Sequence, residues 1–208
     1  VAQPTAAPTA RPVAAAAASG PKRGGHLKWT NQASIGSLDP TRNTSFVTHT
    51  LVAHWYDYIF TWDADLIATE QMIDDWSMNA DATDYTFTLR DGLAFHNGQA
   101  VTSDDVLASI ERWRTQVGTP GVMWDLAKPT TSKVDAKTFK VSPTQPFGLW
   151  VDYWAQDKTN VIPKTTLDAT GEEETLTDYT GSGPFQHVEW DPGARNLVKR
   201  NEAYIPRD

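Results

Sequence analysis

The strictest pattern in the chain is Tyr85-Thr86-Phe87-Thr88-Leu89-Arg90, where apolar and polar residues alternate and predict a strand burying Tyr85, Phe87 and Leu89. Asp91-Gly92 and Asn97-Gly98 are turn dipeptides on either side of a short returning strand at Leu93-Ala94-Phe95. Thr102-Ser103-Asp104-Asp105 then opens a helix. Thr102 is placed to cap it, Asp105 completes a capping box, and Val106, Ile110 and Trp113 form the buried stripe. The helix is expected to stop near Gly118, ahead of a Pro120-Gly121 loop that carries Met123 and Trp124.

Elsewhere the signals are weaker. Between Ser45 and Phe60, the positions Val47, Leu51, Val52, Trp55, Tyr56 and Ile59 recur at helical spacing and predict one long helix, with His54 and Asp57 on its other side. His26 to Thr30 alternates and predicts a strand leading into the Ile35 to Pro40 loop. Trp62 to Asp65 reads as a turn, Thr138 to Val141 as a strand and Phe147 to Trp154 as an aromatic-rich helix. Phe185 to Trp190 and Asn196 to Lys199 form a hairpin turned at Asp191-Pro192-Gly193. Leu66 to Trp76 fits neither period. Residues 1–24 are rich in Ala, Pro and Thr, with no aromatic and no period. Such a stretch buries too little apolar area to offset roughly 1 to 2 kcal/mol of ordering entropy per residue, and is expected to be a disordered tether. The mixture is α+β, with no repeat of fixed period.

Composition narrows the chemistry. Of 208 residues, 18 are Lys or Arg and 26 are Asp or Glu, a net charge of −8 without a basic stripe, so no nucleic-acid partner is expected. The chain has no cysteine, which removes disulfides, thiolate metal sites and thiol nucleophiles. No pair among His26, His49, His54, His96 and His187 has metal-ligand spacing, and each reads as a surface or locally hydrogen-bonded histidine. Asp63-Ala64-Asp65 begins like a calcium loop but fails at Ile67 and Ala68. Gly181-Ser182-Gly183-Pro184 is no phosphate cradle, and Glu172-Glu173-Glu174 reads as a solvated charge run. No catalytic constellation, metal site or cofactor is expected. There remain 9 Trp. Trp29, Trp55, Trp76 and Trp113 fit buried stripes, whereas Trp124, Trp150 and Trp154 sit beside loops and are candidates to face a ligand.

Seven segments stand in order along the chain: Gly24-Gly25-His26-Leu27; Ser37-Leu38-Asp39-Pro40; Tyr58-Ile59-Phe60; the block from Tyr85 to Gly98; Val101 to Val106 with Ser109 and Arg112; Ile162-Pro163-Lys164; and Gly181-Ser182-Gly183-Pro184-Phe185 running to Asn201-Glu202-Ala203-Tyr204. Together they resemble one family, the extracytoplasmic solute-binding proteins (family 5) of ABC importers that handle peptides and nickel. Two departures are small: Ala80 to Asp84 stands where the family often has a Gly-containing turn, and Ser182 where Thr is usual.

The resemblance implies the first lobe of a two-lobe periplasmic-binding-protein-like fold, over 25–208, with the second lobe absent. It implies a sheet subdomain at about 25–50 plus 180–208 and an inserted subdomain at about 51–179. It further implies an extracytoplasmic receptor, not an enzyme, that captures a solute, an oligopeptide above all, by hinge closure and delivers it to a membrane permease. Membrane anchoring through a segment before Val1 is compatible with the tether. By the same resemblance, Thr44, Ser45 and Phe46 in the loop after the first strand, and Met123 and Trp124 after the capped helix, touch the ligand. Two other classes stay open: a hydrolase, which needs a convergent nucleophile and base, and an adhesive module on the same scaffold.

Overall fold

The computed structural model describes residues 24–31, 33–115 and 119–207. The expected tether therefore lies outside the described residues except at Gly24. Residues 24–31 belong to a unit of their own, separate from 32 onward. The strand expected over His26 to Thr30 is absent from that stretch, and Trp29 is 48% exposed where a buried stripe had been anticipated. Alternation alone makes no strand: a ladder partner is needed, and no ladder includes these residues.

The larger unit is built on a four-stranded antiparallel sheet. Its strands, in chain order, are β3 (Ile73–Met78), β4 (Tyr85–Leu89), β5 (Thr130–Lys133) and β6 (Thr138–Ser142), arranged β3-β4-β6-β5. β4 is central, and its alternation reads directly as burial: Tyr85, Phe87 and Leu89 are all buried. The register pairs Phe87 with Phe139 and Tyr85 with Val141, so the aromatic face is continuous across strands. Helix α2 (Ser103–Arg114) packs on β5 and β6. Its Val106, Ile110 and Trp113 enter the same core, as expected. Helix α4 (Trp150–Trp154) adds Trp150 and Trp154, both fully buried. Trp154 lies 5.0 Å from the Phe87 ring, and Trp150 lies 4.9 Å from Phe147. These two tryptophans are core residues and not ligand-facing ones, because burying an aromatic of this size is worth roughly 3 kcal/mol or more.

There are two hairpins besides this sheet among the described residues: β1 (Phe60–Trp62) with β2 (Ala68–Glu70), and β7 (Phe185–Asp191) with β8 (Arg195–Arg200). The first turns over Asp63 to Leu66, one residue later than the expected Trp62 to Asp65, because Trp62 is the last residue of β1. The stretch that fits neither period holds β2 and most of β3, with a bulge between Ile73 and Asp75. The short return at Leu93 to Phe95 is reduced to one bridge, Ala94 to Ala100, around a turn whose Gly98 has φ of 85°. In the turn at Ala80 to Asp84, where the resemblance implies a Gly-containing turn, Ala82 adopts φ of 51°, a conformation that costs a side chain roughly 1 kcal/mol.

The long helix expected from Ser45 to Phe60 ends early, as α1 (Phe46–Val52). Its stripe is nonetheless buried: Leu51, Val52, Trp55 and Tyr56 fill a second, smaller core with Leu38, Ile162 and Leu176. The helix stops because the carbonyls it would use internally are engaged elsewhere. His54 O accepts from Phe185 N at 2.9 Å, Trp55 O from Gly183 N at 3.0 Å, Asp57 O from Val161 N at 3.1 Å, and Ile59 O from both Gln71 N and Met72 N. Tertiary pairing overrides helical periodicity here. The loop expected at Pro120-Gly121 is instead a helix, α3 (Thr119–Ala127), in which the proline falls in the first turn, where its missing N–H costs no hydrogen bond. α5 (Lys164–Ala169) follows Ile162-Pro163.

The cap of α2 works through Asp105 more than through Thr102. The Asp105 carboxylate accepts Thr102 N at 2.8 Å, Thr102 Oγ1 at 2.9 Å and, on its other oxygen, Lys164 N at 2.8 Å. One carboxylate thus ties two helix starts together. Asp105→Ala is therefore expected to cost about 2 to 3 kcal/mol, and Thr102→Ala about 1 kcal/mol, read as denaturant midpoints. Equal shifts would refute the asymmetry. Gly181 packs against the chain at Trp55 so closely that an added Cβ would lie 1.8 Å from Trp55 O. Gly181→Ala should therefore cost about 3 kcal/mol or more on the same assay, and a shift under about 1 kcal/mol would contradict this contact.

Candidate functional site

Thr44 and Ser45 end the loop that leads into α1, and Phe46, expected in that loop, is instead the first residue of the helix; the path of the loop is fixed for reasons readable residue by residue. Asn43 organises it: its Oδ1 accepts Ser45 N at 2.7 Å, and its Nδ2 donates to Thr48 Oγ1 at 3.0 Å and Ser37 O at 3.3 Å. The Asn43 carbonyl oxygen lies 2.7 Å from Nε2 of the buried His49, whose Nδ1 is 3.0 Å from Asp157 O. Ser45 precedes the first turn of α1, and His49 N donates to Ser45 O at 3.2 Å. The result is a fixed ledge on which Thr44 is exposed and Phe46 is 76% exposed. It can offer hydroxyls, backbone groups and one aromatic face to a bound molecule.

The ledge is rooted in a buried ion pair. Asp39 and Arg112 meet at 3.2 Å with side chains 0% and 7% exposed. Asp39 also accepts Thr41 N at 2.7 Å, Thr41 Oγ1 at 2.6 Å and Leu176 N at 2.8 Å. Arg112 donates from Nε to Thr41 Oγ1 at 2.8 Å and from Nη2 to Glu174 O at 2.7 Å. Each charge therefore has several partners, the condition under which a buried pair holds a structure together. Burial pushes the Tyr56 hydroxyl far up from its ordinary value and the Asp39 charge adds to this, so Tyr56 stays protonated at neutral pH. For Asp178, burial pushes the carboxyl up, but hydrogen bonds from Thr180 and Thr166 outweigh it and the net shift is downward.

A second buried pair, Asp57 with Arg207 at 2.9 Å, also receives Tyr204 OH at 3.3 Å and Gln71 Nε2 at 3.4 Å. Helical periodicity puts Asp57 on the outer side of a helix. With the helix ended, it is fully buried.

Met123 and Trp124 lie on α3 and not in a loop. Both are half-buried and turn toward the large core, with Trp124 edge-on to Trp150 at 6.1 Å. The apolar residues that α3 does present to solvent are Val122 and Leu126. The α3 pair thus packs on the large core, whereas none of Thr44, Ser45 and Phe46 belongs to either core. A cavity of about 130 Å³ opens between the 92–98 turns and the 201–207 stretch, lined by His96, Ser182, Asn201, Tyr204 and Arg207 among others. None of the five candidates lines it, and it is too small to enclose an oligopeptide. Ser182 Oγ and Arg207 Nε lack a protein partner but are shut off from solvent, so nothing entering the cavity could reach them. Among the described residues no cluster of acidic or histidine side chains could hold a metal, and no helix is long and apolar enough to cross a membrane.

Comparison with known proteins agrees with this architecture. A family model described as "Bacterial extracellular solute-binding proteins, family 5 Middle" matches residues 68–208. Among curated relatives, the "Probable peptide ABC transporter periplasmic-binding protein y4tO" of Sinorhizobium fredii is 34% identical over 176 residues, covering 84% of this chain and 33% of the relative. The glutathione-binding protein GsiB of Pectobacterium atrosepticum is 26% identical over 74% of this chain and 30% of its own. Among solved structures, the binding protein AgaA from A. tumefaciens R10, in complex with agropinic acid, superposes with a TM-score of 0.72 at 25% identity, covering 81% of this chain and 34% of that one. DppA from Helicobacter pylori, in complex with the peptide STSA, shares the fold with a TM-score of 0.69 at 19% identity, over 81% of this chain and 38% of that one. The chain spans about a third of the length of the curated relatives it matches. By the family model over residues 68–208 and the 34% identical relative, the chain belongs to the bacterial extracellular solute-binding proteins of family 5.

Proposed function

We propose that this chain forms one side of a solute-binding cleft in an ABC-importer receptor that works outside the cytoplasm, captures an oligopeptide by hinge closure and hands it to a membrane permease. The observation that carries this reading is the 34% identity, over 84% of the chain, to a relative named for peptide transport. The division into a sheet subdomain at about 25–50 plus 180–208 and an inserted subdomain at about 51–179 belongs to the same proposal. The two cores, the smaller drawn from residues 35–56 and 162–198 and the larger from 59–161, support a division in two but move its bounds inward: Leu51, Val52, Trp55, Tyr56, Ile162 and Leu176 fall within 51–179 and yet pack in the smaller core.

Thr44, Ser45 and Phe46 are the primary ligand contacts in this reading, because they stand on a ledge that is fixed from behind by Asn43 and His49 and open in front. A preformed contact of this kind binds without first paying for loop ordering. Met123 and Trp124 contribute through the edges they leave exposed, held by the Trp150 contact. Binding, not bond-making, is the chemistry such a surface supports.

Amide spectra of the chain titrated with a pool of tri- to pentapeptides test this. Shifts should concentrate at Thr44, Ser45 and Phe46, with affinity no tighter than about 1 μM, near −8 kcal/mol, since the chain is a third of its relatives' length. Phe46→Ala and Asn43→Ala should each weaken binding by about fivefold or more, the first by removing the aromatic face and the second by loosening the ledge. Binding that leaves 44–46 unmoved would refute the site, and no binding by any peptide would refute the ligand class.

A further inference from the structure

His96 is held to the Gly181–Gly183 stretch by three contacts. Its backbone N–H donates to Gly181 O at 2.8 Å, its ring Nε2 lies 3.0 Å from Gly183 O, and its ring Nδ1 lies 3.3 Å from Gly181 N. A carbonyl oxygen only accepts and an amide N–H only donates. The ring is therefore the neutral tautomer with its proton on Nε2 and a lone pair on Nδ1. The same stretch is the root of the β7–β8 hairpin: Gly183 N donates to Trp55 O, Phe185 N to His54 O, and Asn201 Nδ2 to Gly183 O at 3.1 Å.

We propose that His96 is an acid-released latch, which as the neutral ring pins the Gly181–Gly183 stretch and on protonation at Nδ1 frees it, so that the root of the β7–β8 hairpin opens. The proton enters where Gly181 N–H points, so two donors then face each other and the acceptor is lost. The neighbouring charged groups do not reverse this. Burial lowers the ring below its ordinary 6.5, the Gly183 bond and Asp57 push it back up, and Lys199 lowers it again, with a net downward shift. Asp57 is already paired with Arg207, which lines the same cavity with Tyr204. An opened ring titrates near 6.5 and the latched ring below that, so the latch is at full strength above about pH 6.5 and weakens as pH falls through this window.

The test is amide exchange of residues 181–187 at pH 7.5 and 5.5, corrected for intrinsic rate, on the full chain. Opening should rise by up to about tenfold at the lower pH, the limit set by one proton taken up by a group titrating near 6.5. His96→Gln keeps an acceptor and a donor but does not titrate, and should remove that rise. His187→Gln should keep it, a needed control because burial also lowers His187 on the same hairpin, between Trp55 and Tyr179. A rise that persists in His96→Gln, or vanishes in His187→Gln, overturns the proposal. Nitrogen-15 spectra of the wild-type ring decide independently of any variant: an Nε2–H tautomer titrating below 6.5 is expected, and an Nδ1–H tautomer or a midpoint at or above 6.5 overturns it.

Discussion

The buried contact between Asp39 and Arg112 is the constraint on which the rest of the candidate surface depends. It joins three segments distant in sequence: the loop that precedes α1, the last turn of α2 and the acidic stretch that ends at Leu176. A fully buried carboxylate beside a nearly buried guanidinium is tolerable only when every lone pair and N–H is used, and here the two groups share Thr41 Oγ1 between them. That requirement fixes the path of the chain from Ser37 to Thr41. From there, Asn43 and His49 carry the constraint forward to the exposed ledge.

A related logic runs through the 53–59 stretch. Its carbonyls are distributed to the β7–β8 root, to Val161 and to the Gln71–Met72 backbone, so one irregular segment stitches the two cores together where a helix would have kept its hydrogen bonds to itself. Gly181 and Gly183 are glycines because the backbone at Trp55 approaches them too closely for a side chain. The His96 ring bridges Gly181 and Gly183. Stability at this junction thus depends on close backbone fit against Trp55, on the apolar core around Trp55 and Tyr56, and on one titratable group.

What could be read from sequence follows the range of the forces involved. β4, the turns around it, the stripe of α2 and the terminal hairpin are set by local alternation and capping, and all four were legible. The end of α1, the helical state of α3 and the absence of a strand at His26 to Thr30 depend on partners elsewhere in the chain, and no local period reports those. Asp57 shows the failure most plainly: its polar character suggested an exposed face, but its charge is met by Arg207, far away in sequence. Trp150 and Trp154 were misread in the opposite sense, since proximity to a loop says nothing about which way a five-residue helix turns. The family itself was legible from a block of turns and caps, while the ligand contacts were not, because exposed loop residues carry no pattern that separates binding from mere solvation.

The measurement that bears most directly on this account is a double-mutant cycle across the buried pair, with Asp39→Asn, Arg112→Met and the double variant compared by chemical denaturation. Each single change should cost about 3 to 5 kcal/mol, because it strands the other charge, and the double variant should cost clearly less than the sum, leaving a coupling of about 2 kcal/mol or more. Single costs below about 1 kcal/mol, or strictly additive losses, would mean that the pair is incidental and that the ledge is held by something else.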